Sequence, residues 1–138
     1  MKKSLFLYSI ILFSQFAFSN SISKVSSYDF FNTADTIFTI VETMPEFPGG
    51  KEALYTYISK NIEYPEEAKK ANIEGRVFVE FIVDKTGQIS ESRVLRGANN
   101  YLDAEALRVV KSMPNWKAGE QSGKVVDVRL VLPIVFKL

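Results

Sequence analysis

From Lys124 to Leu138 apolar and polar side chains alternate over most of the run. Val126, Val128, Leu130, Leu132, Ile134, Phe136 and Leu138 fall on one face, and Asp127, Arg129 and Lys137 on the other. Period two marks a strand with one buried face, so the chain must build a sheet that this strand can join. A second segment, Glu74 to Gly87, repeats the pattern with Val77, Val79, Phe81 and Val83 in phase, and Lys85-Thr86-Gly87 then supplies a hairpin turn. Glycine suits that turn because it takes positive φ without strain. Pro133 interrupts the terminal strand. It has no N–H to donate, so the strand is expected at a sheet edge with Pro133 facing away from its neighbour.

Punctuation divides the rest. Thr36 to Glu42 has the β-branched content of a short strand, ended by Pro45, Pro48, Gly49 and Gly50. Beyond the glycines Leu54, Tyr57, Ile58 and Ile62 recur at helical spacing, and Pro65 opens a second, short helix with Glu66 and Glu67 first and Lys69 and Lys70 last, as the helix dipole favours. Ile89 to Arg96 returns as the second hairpin arm. Ile89 and Val94 are five apart, which puts them on opposite faces of a regular strand and predicts a bulge. Asn100 is expected to cap a helix with Asp103 three residues on, carrying Leu102, Ala106, Val109, Val110 and Met113 down one side to Pro114. Trp116 to Gly123 reads as a connecting loop.

Composition removes whole classes of function. The 138 residues hold one modest core, and 17 Lys+Arg against 16 Asp+Glu leave a net charge of +1, with no electrostatic reason to gather on nucleic acid. Histidine and cysteine are both absent, which removes imidazole and thiolate metal ligands, the Cys nucleophile, the commonest general base and lipid attachment through an N-terminal cysteine. No enzyme, metal, cofactor or small-molecule substrate is expected. Gly49-Gly50-Lys51 lacks the remaining glycine and hydroxyl residue of a phosphate loop. Glu80 and Asp84 share a strand face about 13 Å apart, too far for a retaining carboxylate pair. Trp116 reads as a core lid.

The start of the chain reads as an export signal over residues 1–19. Lys2-Lys3 precede an apolar run from Leu5 to Phe18, and Ala17-Phe18-Ser19 has the small-x-small form of a cleavage site. The run is shorter than the roughly 20 residues that span a bilayer. An uncleaved inner-membrane anchor is the alternative. Residues 20–35, rich in Ser, Asn and Thr, read as a flexible leader, and 36–138 as the folded domain.

Several short motifs together resemble the TonB C-terminal domain. They are Tyr64-Pro65 with Ala68, Gly75-Arg76-Val77-Phe78-Val79, Asp84 and Gly87, Leu102-Asp103 with Ala106-Leu107, Trp116-Lys117-Ala118-Gly119, and Leu132-Pro133-Ile134-Val135-Phe136. Val41 to Gly50 resembles the lead-in of Bacteroidetes TonB-like proteins. The resemblance implies an α+β fold, with a small antiparallel three-stranded sheet and two main helices on one face, plus an N-terminal strand and helix. It also implies a periplasmic module that pairs its last strand with the TonB-box peptide of an outer-membrane TonB-dependent transporter.

The expected partner-binding row is Val125, Val126, Asp127, Val128, Arg129, Leu130 and Val131. By family similarity Asn61, Glu63, Tyr64 and Pro65 are placed near the same partner. Tyr64 on its own reads first as a packing residue. A complete TonB carries a membrane helix with a motor-engaging histidine and a long proline-rich spacer, whereas here histidine is absent and prolines number five. The alternatives are an anchored energy transducer, or a structural or regulatory protein forming a homodimer through the same edge.

Overall fold

The computed structural model describes residues 36–138; the expected export signal (1–19) and leader (20–35) lie outside the described residues. Element order is β1 (Ile37–Phe38), α1 (Gly50–Asn61), α2 (Glu66–Lys70), β2 (Gly75–Val83), β3 (Ile89–Arg96), α3 (Asn100–Lys111), β4 (Gly119–Gln121) and β5 (Lys124–Phe136). The two alternating segments pair with each other. β2 and β5 run antiparallel through nine register pairs, from Gly75↔Phe136 to Val83↔Val128. β3 pairs antiparallel with the other side of β2.

The expected three-stranded sheet is therefore the centre of a larger one. The path is β1-β5-β2-β3, with β4 also paired to β5, so five strands replace three. Both additions are short. β1 is a two-residue parallel pairing, Ile37↔Asp127 and Phe38↔Val128, after which the chain bends away, so most of the strand expected over Thr36–Glu42 does not form. β4 lies within the expected loop, and its Gly-Glu-Gln sequence has low β-propensity. Its pairing comes from a tight turn at Ser122 (φ 53°) and Gly123 (φ 74°) and from bridges Thr43↔Glu120 and Glu46↔Lys117.

One face of the sheet is covered by helices. Val77, Val79, Phe81 and Val83 are completely buried and join Leu54 of α1, Ala68 of α2 and Leu102, Ala106, Val109 and Val110 of α3 in one cluster. Each fully buried aliphatic or aromatic side chain of this kind contributes roughly 1.5–3 kcal/mol. Trp116 closes the cluster, edge-on to Phe47 at 5.6 Å and to Phe81 at 5.5 Å, which is the expected lid. The β2–β3 turn docks on it through Gly87. Gly87 has φ 85°, its carbonyl accepts from Trp116 N–H at 2.7 Å, and a Cβ there would stand 1.9 Å from the Trp116 carbonyl.

Two local details refine the sequence reading. The β3 bulge is present: Glu80 pairs with Arg93 but Ile82 with Ser90, and Glu91 has φ 47°. The cap of α3 is Asn99 rather than Asn100, its side chain accepting from Tyr101 N–H, while Asp103 reaches back to Ala98 N–H at 2.9 Å. Asn99 sits in extended conformation (φ −157°, ψ 149°), which a cap requires, and Asn100 is already helical.

Candidate partner-binding edge

β5 has a different neighbour along each part of its length. Val125 and Val126 pair with β4, and Asp127 and Val128 with β1 on the side away from β2. From Arg129 to Phe136 β2 holds one side, and among the described residues no strand holds the other. Of the expected row, then, Arg129, Leu130 and Val131 lie on an open edge. That edge continues through Leu132, Pro133, Ile134, Val135 and Phe136, which sequence reasoning did not include.

The register sorts these side chains. Leu130 and Leu132 pack against the core, and Ile134 and Phe136 belong to it. Arg129, Val131, Pro133 and Val135 point to the helix-free face, with Val131 46% and Val135 57% exposed. Pro133 opposes Phe78, and the β2 ladder passes it without a shift of register.

The second expected group, Asn61, Glu63, Tyr64 and Pro65, joins α1 to α2. It meets β5 only at the strand's far end. The Tyr64 ring stands edge-on to Phe136 at 5.8 Å, and its hydroxyl donates to the Ile73 carbonyl. Ten residues separate Val126 from Phe136, about 33 Å of extended chain, so this group does not meet the β4-paired end of the strand. Burial, with the charge of Glu74 adding to it, raises the Tyr64 phenol above its ordinary range, so it stays a protonated donor.

α3 clamps the same segment through two residues that sequence reasoning missed. Glu63 N–H donates to Glu105 Oε1 at 2.7 Å, and Arg108 donates through Nη2 to the Asn61 carbonyl at 2.8 Å. Arg108 also holds Glu105 in a fork, Nε to Oε2 at 2.9 Å and Nη2 to Oε1 at 2.6 Å. Burial alone would raise the Glu105 carboxyl, but hydrogen bonds from Arg108 and from Glu63 N–H, with the charge of Arg108, hold it below the usual range. The i, i+3 spacing of Glu105 and Arg108 was the available signal, although it does not reveal the backbone groups they grip.

At the opposite end of the strand the chain's own N-terminal region is pinned nearby. Glu42 N–H donates to Gln121 Oε1 at 3.0 Å, and Thr43 and Glu120 exchange backbone bonds of 3.1 and 2.8 Å. β1 is thus a short flap, joined through residues 39–40 to a segment fixed on β4.

The sequence model described as Gram-negative bacterial TonB protein C-terminal matches residues 60–138. The solution structure of the Helicobacter pylori TonB C-terminal domain, residues 179–285, is similar at TM-score 0.50 and 27% identity, covering 66% of this chain and 86% of that one. The structure of residues 194–285 of the same domain is similar at TM-score 0.49 and 27% identity, covering 62% and 90%. Comparison with curated proteins returned no match. No helix among the described residues is long and apolar enough to cross a membrane.

Proposed function

The chain belongs to the Gram-negative bacterial TonB protein C-terminal family, and from that premise we propose that it is a periplasmic module that receives an extended TonB-box segment of an outer-membrane transporter along the open edge of β5. One observation carries this reading: Arg129 to Phe136 is held by β2 on one side and by no described strand on the other. A guest strand laid there gains main-chain hydrogen bonds, and alternate side chains of both strands meet on each face.

Proline sets the pattern of that ladder. Main-chain groups of alternate residues point to the same side of a strand, and Pro133 has no N–H for β2. The outward donors are then Arg129, Val131 and Val135, with only a carbonyl at 133. Tyr64 flanks the far end of this seat through Phe136, and Asp127 and Val128 bound the near end under β1. Asp127 and Val128 enter the interface only when β1 leaves, while Val125 and Val126 stay paired with β4.

An NMR titration with a synthetic TonB-box peptide tests the reading. Amides of Arg129, Val131 and Val135 are expected to shift most, with micromolar or weaker affinity for so small an interface. No shift in 129–136 at millimolar peptide removes it. Strand-to-strand self-association, favoured by the exposed Val131 and Val135 at the rim, would instead give concentration-dependent sedimentation without peptide.

A further inference from the structure

The chain has five arginines, and four of them stand on the helix-free face of the sheet. Arg76 of β2 opposes Val135, Phe78 opposes Arg96, Glu80 opposes Arg93, and Ile82 opposes Arg129. The fifth, Arg108, belongs to the clamp on α3. A net charge of +1 does not require such clustering.

These arginines are only partly neutralised by their own sheet. Glu80 is the carboxylate bonded among them, 2.9 Å from Arg93 Nε and 3.8 Å from Arg129 Nε, and the Arg129 Nε has no hydrogen-bond partner among the described residues. Arg76 and Arg96 make no ion pair among the described residues and are exposed. They are diagonal neighbours across Phe78, with backbones about 7–8 Å apart, so both guanidinium groups can reach one anion. With Lys137 they line a groove of about 680 Å³ whose other walls include Phe78, Val135 and Glu74. Glu74 is the one carboxylate there, and its Oε1 already accepts from Leu138 N–H at 2.7 Å.

We infer that this face is a second docking surface, for a carboxylate-rich polypeptide segment, with one carboxylate forked by Arg76 and Arg96 and an apolar side chain resting on Phe78 and Val135. Arginine's planar fork matches a carboxylate in two parallel hydrogen bonds, which lysine cannot do. The interleaved Phe78, Val131, Pro133 and Val135 supply apolar contact between the charges, as a polypeptide surface needs. A flat anionic bilayer would meet Glu74 and Glu80 embedded in the same face, and it fits less well. This surface is the face of the sheet rather than its edge, so a guest seated on it does not depend on strand pairing at β5.

The test uses the full chain and a short glutamate-rich peptide carrying one phenylalanine, with prolines at alternate positions so that it cannot add as a strand. Fluorescence anisotropy at low salt is expected to show binding that weakens with added salt and disappears for the glutamine counterpart. R76A/R96A should lose about tenfold in affinity and R76K/R96K most of that, while K60A/K69A, on the helices, should stay near the parent. Matched thermal unfolding confirms that the exposed substitutions leave the fold intact. No binding of the peptide, equal loss in the lysine control, full retention in R76K/R96K, tight binding of the glutamine peptide, or capture by phosphatidylglycerol vesicles in place of the peptide would each overturn the inference.

Discussion

The two sides of β5 are built from the same residues and differ in what they leave available. Toward β2 the strand makes nine consecutive register pairs over a fully buried row of side chains; away from β2 it has two pairs with β1 and then an open run to Phe136. The inner side is where the fold gets its stability, because main-chain bonding and apolar burial coincide there. The outer side has bonding capacity with little burial, the condition under which a strand edge is available to another chain. Stability and the proposed recognition are thus separated by the width of one strand.

Substitutions on the inner side should break the contrast most severely. Phe81→Ala empties a completely buried site against Trp116 and is expected to destabilise by about 3–5 kcal/mol, read as a lower urea midpoint, with peptide binding lost only where the domain unfolds. Asn99→Ala removes the α3 cap beside the sheet and should cost about 1 kcal/mol, with no change in peptide affinity at full folding.

A pH series probes the clamp at the far end of the edge. The Glu105 carboxyl lies below its usual range when folded, so its contribution is present above the unfolded value of about 4.3 and disappears as pH falls through the folded one. The stability gap between the parent and Glu105→Gln, measured by urea unfolding, should therefore be largest near neutral pH and shrink on acidification.

The outer side should respond in affinity rather than stability. Pro133→Ala restores a donor. If that donor faces outward, the unfolding midpoint stays within about 0.5 kcal/mol of the parent while peptide affinity or self-association rises. A clear gain in stability would place the donor toward β2 and reverse the assignment of outward groups. The smallest effect belongs to the flap: deleting residues 1–40 uncovers the edge at Asp127 and Val128, and peptide-induced amide shifts should then extend from 129–136 into those two residues at almost unchanged stability.

The strand pair was legible from alternation alone, because Val77 to Val83 and Val126 to Phe136 each show one apolar face over several periods. The two main helices, the β3 bulge and the Trp116 lid followed from spacing and punctuation in the same way. Of the candidate edge, alternation and Pro133 pointed to β5, and the stretch left unpaired on one side among the described residues runs from Arg129 to Phe136, where Val125 to Val131 was expected. Asp127 and Val128 are held on that side by β1, and Val125 and Val126 pair with β4; the short sequences of β1 and β4 carry no period to read.

Local sequence thus determined the long strands and the helices, though not the short β1 and β4, since periodicity and special backbone residues act within a few positions along the chain. Tertiary structure decided which side of β5 remained open and that Arg76, Arg93, Arg96 and Arg129 gathered on one surface. These depend on register between strands distant in sequence, and a shift of one residue would turn each side chain to the other face.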